Sequence, residues 1–309
     1  MRIAIIGTGA VGGYFGGRLA QAGAEVIFIA RGQTLQTLQA QGLRVESIAG
    51  DFVVQLVQVT ADPATVGPVD LIIVAVKAWQ VPAVAATLHP LMGAHTVVLP
   101  LQNGVEAPEQ LAAGVGRENV LGGSCVIVAE VVAPGHIRHG GAQPTVNIGE
   151  LDNARTERIE AVRHAFAQCQ GVAVNVVDDI TVALWQKFMI IAPWSGLGAV
   201  TRMPIYNICR QPETHALLQA AIVEIEAVAR AHGVILPPTA SADTLARLEA
   251  LGPGLLASMQ RDLMNGRPSE LEAQTGAVVR LGRVVGVATP VNSFIYASLL
   301  LLEQQARGQ

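Results

Sequence analysis

The run IGTGAVGGYFGGRLAQAG, starting at Ile6, constrains this chain more than any other segment. It follows RIAII, a short β-branched stretch that reads as a buried strand, and it continues with helical spacing to Gly23, a natural helix stop. Gly7, Gly9 and Gly12 therefore form G-x-G-x-x-G at a strand-to-helix turn. The first glycine permits the tight turn, the second a close approach of backbone to a pyrophosphate, and the third close helix–strand packing. Unpaired N–H groups at the helix start favour phosphate. The loop Gly7-Thr8-Gly9-Ala10-Val11-Gly12 is thus the candidate cofactor-binding turn. A motif that is weak alone gains force from this context.

AEVIFIAR, VDLIIVAVK and HTVVLPLQNG read as further strands, with residues 78–91 between the last two as a helical crossover whose ends are marked by Pro82 and Pro90. Alternating strands and helices imply a doubly wound parallel sheet. Residues 119–150 are β-rich and broken by APG and HGGAQP, which predicts a strand and a hairpin-like extension. Beyond DDITVALWQKF the pattern turns helical. ETHALLQAAIVEIEAVARAHG, SELEAQTGAVVRLGRVVG and NSFIYASLLLLEQQARG are amphipathic helices, and Asp178 or Asp179 is placed to cap the first helix of this half. The expected fold is α/β, with an N-terminal Rossmann domain over residues 1–178 and a C-terminal all-helical domain over 179–309. The active site is expected in the cleft between them.

With 51% hydrophobic and 14% charged residues, the 309-residue chain is a globular protein rather than a disordered one. A net charge of −4 gives no sign of a nucleic-acid partner. No apolar run approaches the ~18 residues of a membrane span, and the N-terminus lacks a signal peptide's features. The three cysteines have no metal-type spacing and read as reduced thiols in a cytoplasmic protein. His136 and His139 read as polar residues of the hairpin, with no carboxylate or cysteine to complete a metal site. The apolar helices near 215–232 and 291–305 leave a homodimer open.

Ligands of such sheets bind beyond the carboxyl ends of the strands. The second strand ends in Ala30-Arg31. NAD sites normally carry Asp or Glu there, whereas a guanidinium suits a 2′-phosphate and so NADP(H). Lys77 and Asn103 stand at matching rim positions, one to meet the nucleotide and one to fix a ribose or substrate carbonyl. Lys187 opens a stretch that stays uncharged through Thr201. A desolvated ammonium gives up its proton more readily, which suits it to protonate an alkoxide formed by hydride transfer. From residues alone, a snorkelling lysine explains it equally well. Glu270 is expected in the first turn of a helix, where the helix dipole also accounts for a carboxylate.

IGTGAVGGYFGGRLAQAG, AVKAWQ, LQNG, WQKF and SMQRDLMNGRPSELE occur in that order across nearly the whole chain, and together they resemble the ketopantoate reductase (2-dehydropantoate 2-reductase) family. The resemblance implies a Rossmann plus helical architecture, NADPH as reductant and a small 2-oxo acid as substrate. It implies Lys187 as proton donor, Glu270 as the site glutamate, Lys77 and Asn103 as cofactor ligands, Asn103 also at the substrate, and Ser258 at the substrate carboxylate.

One departure bears on the substrate. The family pattern has asparagines four and eight residues after the lysine and another beyond a proline; here Ile191, Ser195 and Ile205 stand there. Losing two polar contacts at roughly 1–3 kcal/mol each lowers recognition of ketopantoate by ~100-fold; Ser195 keeps a hydroxyl for substrate. The expected function is NADPH-dependent reduction of 2-dehydropantoate to pantoate, in pantothenate biosynthesis. The alternatives are a paralogue reducing a more apolar 2-oxo acid or ketone, and a non-catalytic NADPH-sensing regulator.

Overall fold

The computed structural model describes residues 1–309. The chain divides into two compact units. One comprises Met1–Gln102 and Glu106–Ile180; the other comprises Thr181–Gln309 together with the short segment Asn103–Val105.

In chain order the first unit has strands β1 (Arg2–Ile6), β2 (Glu25–Ile29), β3 (Leu43–Ser47), β4 (Phe52–Val54), β5 (Gln58–Thr60), β6 (Leu71–Val74), β7 (Val97–Pro100), β8 (Leu121–Ala133), β9 (His136–Glu150) and β10 (Ala173–Val176). Its helices are α1 (Ala10–Gln21), α2 (Gly32–Gln41), α3 (Val81–Ala85), α4 (Ala107–Val115) and α5 (Glu157–Ala167). The expected parallel sheet is present in the order β5-β2-β1-β6-β7. Strands β1, β2, β6 and β7 are nearly continuous apolar runs because both faces are covered, whereas the edge strand β5 is polar and partly exposed. Chain direction across the sheet reverses between β1 and β6, the switch point where such sheets open a crevice for ligands. The expected hairpin is β8–β9. It belongs to a second sheet, β10-β9-β3-β4, with β8 along the other side of β9.

Helix α1 lies between the two sheets, and Gly12 through Leu19 are all buried. Two pairs of glycines one turn apart make room for it. A Cβ on Gly16 would stand 2.6 Å from the Phe28 ring of the first sheet, and one on Gly17 would stand 2.9 Å from Leu43 of the second. Tyr14 and Phe15 fill the space between these contacts. Arg18, only 1% exposed, is also enclosed. Its guanidinium donates to Gln21 Oε1 (2.9 Å), Ser47 Oγ (3.1 Å) and the Gly50 carbonyl (2.9 Å), and packs 4.3 Å from the Phe52 ring centroid. All these partners are neutral, so the cation is solvated by fixed dipoles in place of water.

Residues 78–91 differ from the expected crossover helix. They form a 3-10 turn over Ala78–Gln80, the single-turn α3, and another 3-10 turn over His89–Leu91. Pro82 occupies the start of α3, where its missing N–H costs nothing, rather than marking the boundary of a longer helix. None of the three cysteines forms a disulfide, and burial pushes the Cys169 thiol up to about 12.

The second unit is helical: α6 (Ile180–Thr201, whose first residue belongs to the first unit), α7 (Ile205–Ile208), α8 (Pro212–Ala231), α9 (Ala240–Glu249), α10 (Ser258–Met264), α11 (Thr275–Val285) and α12 (Pro290–Ala306). Of the two candidate caps of α6, Asp178 pairs with Arg155 at 2.6 Å, leaving Asp179 directly before the helix. The Ile180 N–H is taken by Asn153 Oδ1 at 3.1 Å. α12 is capped from outside, since Glu224 on α8 accepts the N–H groups of Val291 (2.8 Å) and Asn292 (3.0 Å). α11 begins at Thr275, so Glu270 is not in its first turn as the sequence pattern suggests. Residues 269–274 form a separate turn held by tertiary bonds described below.

His139 provides a pH test of the first unit. Its Nε2 faces the Ala142 carbonyl (3.4 Å), so Nδ1 accepts from Ser47 Oγ (2.8 Å), which already accepts from Arg18. Burial, and secondarily the Arg18 charge, hold the imidazole below its usual range. The unfolded chain therefore takes up a proton before the folded one, and stability falls as pH drops below about 6.5. The expected result is that His139→Gln has a melting temperature that falls less than wild type between pH 7.5 and 5.5.

Candidate active site

The turn after β1 closes as the glycine spacing requires. Gly7 has φ 95°, and Gly9 is the extended residue before α1. A Cβ on Gly12 would meet the Gly7 carbonyl oxygen at 2.0 Å, so no other residue fits there. A Cβ on Gly9 would meet nothing within 4 Å, which leaves its backbone open to a ligand. The first N–H groups of α1, at Ala10, Val11 and Gly12, lack intrahelical acceptors. Thr8 Oγ1 is buried beside them with no partner. This donor set fits the pyrophosphate of a dinucleotide.

Arg31, exposed, immediately precedes α2 at the end of β2. Lys77 is half-buried just beyond β6; its backbone N–H bonds Gln80 Oε1 at 3.2 Å, and its ammonium lies 5.9 Å from the Trp79 ring centroid. Gln102, a residue passed over in the sequence reading, ties the two strand ends together. Its amide donates to the carbonyls of Val74 (2.8 Å) and Val76 (3.0 Å). A polar residue after a buried strand was the only available signal.

Asn103 belongs to the helical unit. Its Nδ2 donates to Glu270 Oε2 at 3.0 Å across 167 residues of sequence. Glu270 is 5% exposed, and Gln274 Nε2 lies 3.5 Å from the same oxygen. The turn that carries the glutamate is fastened from α12. The Glu303 carboxylate, itself buried, accepts the Ser269 N–H (3.0 and 3.1 Å) and hydroxyl (2.5 Å). Arg307 bonds Glu303 (2.6 Å) and the Ser269 carbonyl (3.0 Å). Gln274, Glu303 and Arg307 looked in sequence like ordinary helix residues.

Lys187 is half-buried on α6, in a stretch whose Leu184, Trp185, Phe188 and Met189 are buried. Trp185 and Phe188 pack edge to face at 5.6 Å between centroids. Ser258 is half-buried at the first position of α10. Ser195 is wholly buried with an unpartnered hydroxyl, and Ile205 is wholly buried in the helical core, with Ile191 partly buried against it. The structure thus joins Asn103 to Glu270 by a direct bond, while Lys187, Ser195 and Ser258 stand outside that bonded group.

Residues 3–153 match the family model described as ketopantoate reductase PanE/ApbA, and residues 179–303 match that of its C-terminal region. The chain belongs to this family. Its members are NAD(P)H-dependent oxidoreductases of small-molecule keto acids. Among relatives, an uncharacterized oxidoreductase of Bacillus subtilis is 31% identical over 99% of this chain and 100% of its own. A 2-dehydropantoate 2-reductase of Nostoc is 29% identical, covering 99% of this chain and 96% of its own. A crystal structure of a PanE/ApbA family ketopantoate reductase from Ralstonia eutropha superposes with a TM-score of 0.90 at 34% identity, covering 99% of this chain and 100% of that one. No helix is long and apolar enough to cross a membrane.

The Glu303 clamp gives a stability test. Glu303→Ala leaves the buried Ser269 N–H and hydroxyl without their acceptor, at a cost of about 3 kcal/mol. The expected readout is a melting temperature lower by several degrees, with turnover lost in step as the Glu270 turn loosens.

Proposed function

We propose that this protein reduces a 2-oxo acid to the 2-hydroxy acid with NADPH, with 2-dehydropantoate as first-choice substrate. The observation that carries this reading is the buried Glu270 carboxylate gripped by the Asn103 amide. A buried carboxyl group tied to a side chain 167 residues away is held at a defined position, as a site requires and a packing surface does not. The nicotinamide, when bound, supplies a hydride to the carbonyl carbon. Lys187 supplies the proton to the carbonyl oxygen, so that one C=O becomes one CH–OH. Glu270 orients substrate and the lysine, the Asn103 side-chain carbonyl remains available to a substrate or ribose hydroxyl, and Ser258 and Ser195 are assigned to the substrate's polar end. The glycine turn, Lys77 and Arg31 hold the dinucleotide, which makes the first unit the cofactor domain.

NADPH is assigned over NADH because Arg31 stands where an acidic residue would repel a 2′-phosphate. Arg31→Ala is expected to raise KM for NADPH by about 10–100-fold, the worth of a charged hydrogen bond, and to leave KM for NADH little changed. Lys187→Ala is expected to bind NADPH normally and to lose about 10²–10⁴-fold in kcat. Retained turnover would remove Lys187 from its role.

A second reading is favoured by Ile191 and Ile205, where the family pattern has asparagines. Ile205 is wholly buried in the helical core and Ile191 partly buried against it, so neither position offers an amide to a polar substrate. Under this reading the substrate is a 2-oxo acid with a larger apolar group. An NADPH-oxidation panel decides between them: kcat/KM higher for branched or aromatic 2-oxo acids than for 2-dehydropantoate supports the second.

A further inference from the structure

We infer that Gln274 is a positioning residue for the Glu270 carboxylate, the second of two amides that hold it; this rests on the role proposed above for Glu270. Gln274 is completely buried. Its Nε2 lies 3.5 Å from Glu270 Oε2, the oxygen that also takes the Asn103 amide at 3.0 Å. Its backbone N–H bonds the Glu270 carbonyl at 3.0 Å, which fixes the side chain's origin relative to the glutamate.

Three features argue that the amide is there for the carboxylate. First, Gln274 occupies the N-cap position of α11 yet makes no side-chain cap. Glutamine is not among the residues that serve that position, and this one turns back toward Glu270 instead of forward to the helix. Second, its Oε1 is buried without a partner. An orphaned acceptor costs free energy that an apolar side chain of the same shape would avoid, so packing alone selects leucine or methionine here. Third, the contact is long for a hydrogen bond, but a charge–dipole attraction does not need ideal geometry. With both amides on one oxygen, rotation of the carboxylate is restricted, which fixes where its other oxygen points.

The test is the split between kcat and KM for the 2-oxo acid, measured with NADPH, for wild type, Gln274→Leu, Gln274→Met and Glu270→Gln. Glu270→Gln is expected to lower turnover at least about tenfold. Both Gln274 variants are expected to lower kcat several-fold, with NADPH affinity unchanged and the melting temperature no lower, since each variant removes the orphaned acceptor. The methionine variant serves if the leucine variant misfolds. Lowered turnover in Glu270→Gln with unchanged kcat in the folded Gln274 variants overturns the inference and leaves the proposed function standing. Unchanged turnover in Glu270→Gln overturns both.

Discussion

Everything in the first unit depends on fitting one helix between two sheets. α1 has almost no exposed side, so its sequence must present surface to both neighbours at once. Small residues one turn apart on each face let the backbone approach Phe28 and Ile5 on one side, and Leu43, Phe52 and Ile137 on the other. The same helix must begin at the tight glycine turn. Its position is therefore set at its start by the turn and along its length by packing. Placing Arg18 within this layer adds a constraint that a purely apolar helix would lack. The guanidinium needs Ser47 and the Gly50 carbonyl in register, which links α1 to the edge of the second sheet. Burying a cation does not by itself make a fold more stable; here it narrows the ways in which helix and sheet can meet.

The helical unit solves a different problem, that of keeping a carboxylate in place away from water. Its solution is a short turn rather than a helix end. Ser269 is tied to Glu303 and Arg307 on the last helix, while the next residue, Glu270, reaches Asn103. The side chain is thus held by its own oxygen and through the backbone of its neighbour. Both supports come from segments distant in sequence. A site built this way is rigid only when the whole unit is folded, because no local preference supports it.

This explains how much could be read in advance. Four strands of the first sheet, β1, β2, β6 and β7, and the helices α6, α8 and α12 are strongly apolar or periodic, and they were legible; the edge strand β5, only QVT, was not. The second sheet was legible only in its hairpin. Its other strands, such as LRVES and AVNV, are only four or five residues long and partly exposed, so even the alternation of LRVES is too short to stand out. The turn at 269–274 was misread as helix because ELEAQT contains good helix formers, whose local preference is overridden by Glu303 and Arg307. The Rossmann turn and the family were legible because the glycine spacing has a local mechanical cause. Asn103 stood out as a polar residue at a strand end, but its bond to Glu270 was not legible, since nothing in a linear pattern pairs residues 167 apart.

The membership of Asn103–Val105 in the helical unit has a consequence for how the polypeptide matures. Three residues embedded in the N-terminal half are structural parts of the C-terminal half. A nascent chain emerging from the ribosome would complete the first sheet while this tripeptide still waited for its partner to be synthesised. Nor is the protein modular in the genetic sense. A fragment starting at residue 181 would lack the amide that steadies its own glutamate, and in an exchange of halves between homologues that contact would join residues of two different origins.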